Sequence, residues 1–582
     1  MDASFDRSYE GTGVSVQRDD VTVSGPVPAR AARADWAASE ATRYLCVGAY
    51  IGNDFRRRVL REVLSTRYRA VAPSYGIDIV PVIRHCLRAR HREIARNLAF
   101  IGLLLLIAVW SLPLLIAALF LGWGLNQVVA AIRALLRGKA QAAGVRLGLS
   151  VVLLWVALLA ISYYAIGSTD PGGYGFGFSA LLSALGGSLF LLIVIWALAA
   201  GVRFAELLVN HRTVLTELAP GRFDPQAAPT ESPRHSERIA YLAQAQTGNV
   251  TYYARTSLER PFVGAGTPLD PAALTVPLLR KEPGEAPPAR ELTVPALYRR
   301  MRQAMVTLAD PDNPAAERVE GLSMQSRVFV SGLLRPDEGM LDAQTGLPRH
   351  YLSRAELDGM VQYDRNRATE YLAIRIGAWE GELEVTVFLY FSIRGSTLYT
   401  EFVPTVLPSI RESFHNVDRF SLLDPVTYTR MALISLRDLP TMIIRAPWDL
   451  ARTAKDHIWG QLNDQFEARD IRSRLAFDYG IGASVREMGA DFTSANYFQS
   501  ADAARYIYLV ERRLRDAVGE VLDDFGYVSE EFLEKSQTVI DNSVHISGGT
   551  FSANALAVGP NARAQVRPPA AAARPPAAPK PS

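Results

Sequence analysis

The stretch that decides the fold runs from Leu98 to Val209. It contains LAFIGLLLLIAVWSLPLLIAALFLGW at 98–123, VRLGLSVVLLWVALLAISYYAIG at 145–167 and FGFSALLSALGGSLFLLIVIWALAAGV at 176–202. A helix rises about 1.5 Å per residue, so roughly 20 apolar residues are needed to cross a hydrocarbon core of about 30 Å. Residues 146–166 and 177–202 each meet that length. The block therefore predicts an integral membrane protein. The stretch 98–132 is long enough for more than one span, but Ser111-Leu112-Pro113 interrupts it. Proline lacks the backbone N–H and disfavours helix at the residue before it. The first arm, 98–112, would reach only about 22 Å as a helix, which predicts a re-entrant or tilted hairpin bent near Pro113.

Charge orients the block. Arg84, Arg88, Arg90, Arg92 and Arg96 precede it. The loop 123–146 carries Arg133, Arg137, Lys139 and Arg146 and no acid, whereas 167–177 has neither lysine nor arginine. The positive-inside rule then wants both ends of 98–132 in the cytoplasm. A hairpin followed by an out-and-back pair of spans satisfies this and leaves both termini cytoplasmic at the cell (inner) membrane. The rival is three plain spans with the termini on opposite sides. The basic run either fixes topology alone or contacts anionic lipid headgroups through Arg84, Arg88, Arg92 and Arg96, at about 1 kcal/mol per charge. No Asp, Glu or Lys lies within a span, which argues against coupled ion transport but leaves a passive oligomeric pore open.

Outside the block the chain reads as soluble sequence. Its net charge of +3 lacks the basic excess of a dedicated nucleic-acid binder. The first forty residues show no secretory signal. Cys46 and Cys86 are too few for a disulfide framework and read as buried reduced thiols. The predicted fold class is α+β: a helical membrane region and a large cytoplasmic domain built on an antiparallel meander with flanking helices. Residues 1–40 read as a disordered lead and 41–97 as a basic cytoplasmic segment. Within the latter, 44–50 is a strand or a buried helix, 55–68 a helix, and 77–83 extended because of nearby proline. Residues 210–293 read as a linker with one short strand at 249–255. The α+β domain covers 294–500, with a helix at 294–308 and strands at 327–333, 368–378, 382–393 and 396–407, which alternate and are rich in β-branched and aromatic residues. The segment 431–462 is ambiguous, holding Pro440, Pro447, Trp448 and Trp459. Packing on the sheet is its ordinary reading and a membrane-interface position the other. Helices follow at 501–524 and from Ser529, a candidate N-cap, to about Asn542, with a disordered Pro/Ala tail at 567–582.

Candidate chemistry is sparse. GGYGFG at 172–177 has phosphate-loop composition but no preceding strand, so it reads as a turn. Asp524-Phe525-Gly526 copies a kinase triplet without its companions. His85 and His91 are six apart, the wrong spacing for a shared metal on one helix face. No P-loop or HExxH occurs, and no catalytic, cofactor-binding or metal residue is assigned.

The segment Asn542–Val566 is different: NSVHISGGTFSANALAVGPNARAQV alternates small polar and apolar residues around glycines. Two short arms of this kind can stack as in-register strands. Through Gly548-Gly549, Leu556 to Gly559 and Asn561 it resembles the bacterial amyloid signalling sequences, themselves similar to the core of RIP homotypic interaction motifs. That resemblance implies a motif shared between a sensor, often an NLR-type ATPase, and an effector. The interaction residues would be Ile546, Gly548, Gly549, Phe551, Leu556, Val558, Gly559 and Asn561. The alternative is a surface hairpin closing the preceding helices. NVTYYARTSLERPFVGAG at 249–266 and the meander resemble recurring uncharacterised actinobacterial membrane proteins, which implies lineage and not activity. The leading expectation is a membrane-anchored signalling or effector protein acting through self-association or partner binding, with the bilayer, a homo-oligomer and a sensor sharing the C-terminal motif as partners, and no nucleic acid or cofactor. A membrane-bound enzyme with a site in the meander domain and a structural scaffold of the cell envelope are the alternatives.

Overall fold

The computed structural model describes residues 38–543 except 168–177, 231–232, 256–260, 270, 283–290, 311, 313–317, 336–338, 361–367, 420–424, 474–475 and 492–496. The N-terminal segment is helical. Helix α1 (Glu40–Ile51) starts at Ser39, whose side chain accepts the Thr42 N–H, and settles 44–50 as a buried helix. Helix α2 (Asn53–Val59) continues into a π turn at Leu60–Leu64. Helix α3 (Ile79–Trp110) begins with the Asp78 carboxylate accepting the Val80 N–H. The expected extended stretch at 77–83 is thus corrected. Pro81 falls in the first turn of the helix, where its missing N–H would have had no partner anyway.

Helix α3 stops at Ser111, which is extended (φ −158°, ψ 111°), and α4 (Leu112–Leu136) begins with Pro113 near its start. Gly138, at φ +72°, closes the turn into α5 (Ala140–Gly167). Helix α6 (Phe178–Glu217) runs 40 residues out of the apolar block. Among the described residues, three helical segments are long and apolar enough to cross a membrane: Leu115–Leu136, Ala140–Tyr163 and Ile193–Glu217. Ile107, Ala117, Ala118, Ile161 and Ile195, drawn from α3 to α6, pack into one buried cluster, while Leu136, Val145, Val151 and Trp155 stay exposed around it.

The second half is a mixed sheet under helices. After α7 (Pro233–Ala245) come β1 (Val250–Tyr253), β2 (Thr267–Pro268), β3 (Ala272–Pro277) and α8 (Val294–Leu308). Strands β4 (Leu322–Ser331) and β5 (Leu333–Leu334) and helix α9 (Arg354–Met360) lead to β6 (Ala368–Ala378), β7 (Leu383–Arg394) and β8 (Thr397–Leu407). The order is β1-β4-β6-β7-β8-β2, with β3 also on β8. Only β1 and β4 run parallel. The meander is present as read: Ala378 faces Leu383 and Arg394 faces Thr397, the latter across a turn that uses Gly395 at φ +57°. Strand β3 lies in a proline-rich stretch that composition alone marked as linker. It pairs with β8 from Ala272↔Phe402 to Pro277↔Thr397. It forms an edge, where proline's missing donor is tolerated.

Ile374, Val387, Leu389 and Phe402 point from one sheet face toward Leu297, Met301 and Met305 of α8. They also meet Ile507, Val510 and Leu514 of α13 (Tyr497–Asp524). The other face carries Phe329, Ala373, Phe388 and Val403 beneath Phe262 and Tyr75. The segment Pro261–Gly266 is pinned there. Phe262 stacks on Phe388 with centroids 4.7 Å apart, and the N–H groups of Gly264 and Gly266 donate to the Glu487 carboxylate at 2.9 and 3.1 Å. Both glycines have φ above +90°, and a Cβ on either would sit within 2.5 Å of a backbone oxygen. The sequence there serves the sheet.

Five α-helices follow β8 among the described residues. Helix α10 (Glu412–His415) follows β8. Helix α11 (Pro425–Arg472) is 48 residues long with Pro440 and Pro447 inside it. Sheet packing, the ordinary reading of 431–462, is corrected. Leu439 and Ala446 are buried against Phe100 of α3 and Ala199 of α6, with Trp196 and Met442 around them. Helix α11 then leads through β9 (Phe477–Asp478), paired with β5, to α12 (Val485–Gly489) and α13. The capping box of Ser484 and Glu487 starts α12. Gly526, at φ +76°, ends α13 just before α14 (Glu530–Ser543).

Candidate functional site

The charged segment between the apolar block and the sheet holds the densest polar chemistry. The sequence marked Arg84, Arg88, Arg92 and Arg96 for lipid headgroups. The structure places three of them against α6. Arg96 Nη1 donates to both Glu206 oxygens at 3.0 Å, and Glu206 also takes Arg203. Arg92 donates to Asn210 Oδ1 and Thr213 Oγ1, each at 2.9 Å. Arg88 donates to Glu217 at 2.5 Å. Arg84 also has a partner within the protein. The four-residue spacing brings these arginines to one face of α3, and α6 runs antiparallel with acceptors at matching turns. The ladder begins one turn past Val202, where the apolar run ends.

A second group of charges lies on the adjoining face of α3. Arg56 and Arg57 both bond Glu93, at 2.6 and 2.8 Å. Burial disfavours the charged carboxylate, but the two guanidinium groups overcome this and hold the Glu93 pKa at about 2. His85 accepts or donates to Tyr50 Oη at 2.9 Å. Burial, then Arg88 and Arg92, push its pKa down to about 3, so it is neutral near pH 7.

Beyond these lies a cleft of about 1680 Å³ between α3, α7, the loop 342–351 and the C-terminal half of α11. Four of the eight histidines line it: His91, His235, His350 and His457. No sequence pattern marks this grouping, because the four come from four separate elements. Arg67, Arg90, Arg234, Arg238 and Arg349 join them, against Glu237, Asp342, Asp456 and Asp464. Arg238 is structural. It is buried and donates to the carbonyls of Val63, Arg67 and Arg69, tying α7 to the segment after the π turn. Arg234 Nη1 meets His457 Nε2 at 2.8 Å, an arrangement that requires a neutral imidazole accepting from the guanidinium. His235 Nδ1 is buried without a hydrogen-bond partner. Burial, Arg234, His91, Arg90 and His457 together keep the His235 pKa below its ordinary value. Neither Arg90 nor His91 forms a hydrogen bond or ion pair with a described residue. Among the described residues no group of three His, Cys, Asp or Glu side chains could hold a metal ion.

The sheet domain offers less. Glu401 lies between Tyr371 and Tyr399, and burial raises its pKa while both phenols oppose the rise. Glu382 bonds His415 beside Gln499. Neither carboxylate has a second one converging on it. Cys46 and Cys86 are free and buried, with burial raising both thiols. The C-terminal interaction residues Ile546, Gly548, Gly549, Phe551, Leu556, Val558, Gly559 and Asn561 lie outside the described residues, as do the lead to residue 37 and the tail.

The arrangement thus defines an α+β protein with, among the described residues, three helices apolar enough for a membrane and a cleft lined by arginines, histidines and carboxylates. Residues 271–553 match the family model of the AbeC-like domain, a description that names no activity. The match starts at β3 and takes in the meander, the whole of α11 and the helices over the sheet. No curated protein and no solved structure matches the chain.

Proposed function

We propose that this is a membrane-anchored signalling or effector protein that acts by self-association or partner binding, with α11 linking its sheet domain to its apolar helices. The observation that carries the reading is the path of α11. It leaves the end of the meander, buries Leu439 and Ala446 among the apolar helices, and returns through β9 to the sheet domain. A change in what the sheet domain binds therefore has a continuous helix through which to reach the bilayer. The apolar helices sit in the cell membrane as a re-entrant α3–α4 hairpin followed by two spans, with both termini in the cytoplasm. The segment 542–566 provides self-association or recruits a sensor that shares its motif.

Two measurements test this. Lys139→Cys and Lys535→Cys, both at exposed positions, should resist a membrane-impermeant maleimide in intact cells and react after permeabilisation. Labelling of both in intact cells would favour three plain spans. Deleting residues 543–566 should abolish cross-linked oligomers of the full-length protein in membranes. Unchanged oligomers would remove self-association through that segment.

A further inference from the structure

We propose that the cleft between α3, α7 and α11 is a binding site for a phosphate group, carried by a lipid headgroup or by a soluble phosphorylated molecule. Arg90 of α3 and Arg234 of α7 line the cleft without an ion pair to a described residue, although Asp464 acts on Arg234 from α11. Arg90 and His91 of α3 face Arg234 and His235 of α7 and His457 of α11, and each of the other four depresses His235. Asp456 is the carboxylate acting on Arg90 from α11. Glu93, the next nearest, is already held by Arg56 and Arg57.

The polar atoms are also left ready. Arg90 is half-buried and makes no hydrogen bond, and the buried Nδ1 of His235 has no partner. Arg234 spends a donor on a neutral imidazole, a weaker partner than an anionic oxygen. The neighbouring ladder shows what the same helix does when carboxylates are supplied: its arginines pair fully. On the cleft face Arg90 and Arg234 are left without an ion pair to a described residue.

Phosphate is the anion that fits. Guanidinium groups match its oxygens with paired N–H donors, and imidazole can donate to a third. The cleft has room for more than an ion, so the phosphate would belong to a larger molecule. Its position allows a lipid. Ile94 lines the cleft, and Leu98, exposed one turn further along α3, opens the apolar run. A headgroup in the cleft would leave its acyl chains beside that run.

The test uses the full chain in a neutral detergent, titrated by calorimetry with inorganic pyrophosphate and, separately, with dihexanoyl phosphatidic acid. Saturable binding of the lipid alone assigns the site to a headgroup, and of pyrophosphate alone to a soluble ligand. Binding of both assigns it to the phosphate group itself. In each case Arg90→Gln combined with Arg234→Gln should weaken binding by about tenfold or more, while Arg137→Gln, in the exposed α4–α5 turn, should leave it unchanged. Asp456→Asn removes the competing carboxylate and should tighten binding several-fold, a gain that misfolding cannot imitate. The proposal is overturned if neither probe binds saturably, if the double variant binds within about twofold of the unaltered chain, or if Asp456→Asn fails to tighten binding.

Discussion

On one side of α3, Arg88, Arg92 and Arg96 meet Glu217, Thr213 and Glu206. On the other, Arg90 and His91 meet Arg234, His235 and His457. The two faces differ little in their own composition. What separates them is the helix opposite. Helix α6 returns from the apolar block with two carboxylates, an amide and a hydroxyl at turn spacing, so the first face closes into a structural seam. Helix α7 brings Arg234 and His235, and α11 brings Asp456, His457 and Asp464 without pairing Arg90, so the second face stays open as a cleft. Charge along one helix therefore says where polar chemistry is concentrated, and the facing element says whether it is structural or available.

The strongest way to break that contrast is at the seam's most buried rung. Side chains of Arg96 and Glu206 are 8% and 9% exposed, and Arg203 shares the same carboxylate. Glu206→Leu strands two guanidinium groups in a setting that desolvates them. It should cost about 3–5 kcal/mol, read as a large drop in the thermal midpoint of the detergent-solubilised chain. Adding Arg96→Met should restore part of the loss. A single variant close to the unaltered stability would mean the rung is not structural. Next in size is the apolar contact just beyond the ladder. Leu439 is fully buried against Phe100 and Ala199. Leu439→Ala should cost about 2–4 kcal/mol in the same measurement. It should leave pyrophosphate binding intact if cleft and apolar junction are separate units.

The same contrast explains what the sequence disclosed. The meander was legible because 368–407 is rich in β-branched and aromatic residues broken at its turns, a local property, although both faces of β7 are buried. Helices α8 and α13 were legible from apolar residues at period 3.6. The apolar block needed only length and composition. The long helix α11 was not legible. Pro440 and Pro447 are local signals against helix, and packing of Leu439 and Ala446 on distant helices outweighs them. Nor was the cleft. Its histidines stand at 91, 235, 350 and 457, and no window of sequence contains two of them. The arginine ladder was half legible: spacing showed a common face, but Glu206 and Glu217 lie more than a hundred residues away.

Protonation separates the faces further. His85 sits beside the seam, bonded to Tyr50 and facing Arg88 and Arg92. Its folded-state pKa, near 3, lies below the ordinary 6.5, so between these values the unfolded chain binds the proton and the folded chain does not. Stability contributed by neutral His85 is thus complete above pH 6.5 and declines as pH falls below it. The expected slope is about 1.4 kcal/mol for each pH unit below 6.5. Comparing denaturation midpoints at neutral and mildly acidic pH for the unaltered chain and His85→Gln checks this. The variant should show a shallower decline, and equal slopes would mean His85 does not carry the dependence.

The smallest effect belongs to the rung furthest from the apolar block. Arg88 and Glu217 are 28% and 41% exposed, against 8% and 9% for Arg96 and Glu206. Among the described residues Glu206 also holds Arg203, whereas Glu217 holds Arg88 alone, so burial and the shared partner both favour the inner rung. Water remains close to Arg88 after its partner is removed, and salt screens the pair before any substitution is made. Arg88→Gln should therefore cost about 0–1 kcal/mol, and the difference from the unaltered chain should shrink in high salt. A cost as large as that of Glu206→Leu would show that the ladder acts as one cooperative network. In that case its strength would come from the register of α3 against α6, and the open face of α3 would owe its availability to that same register.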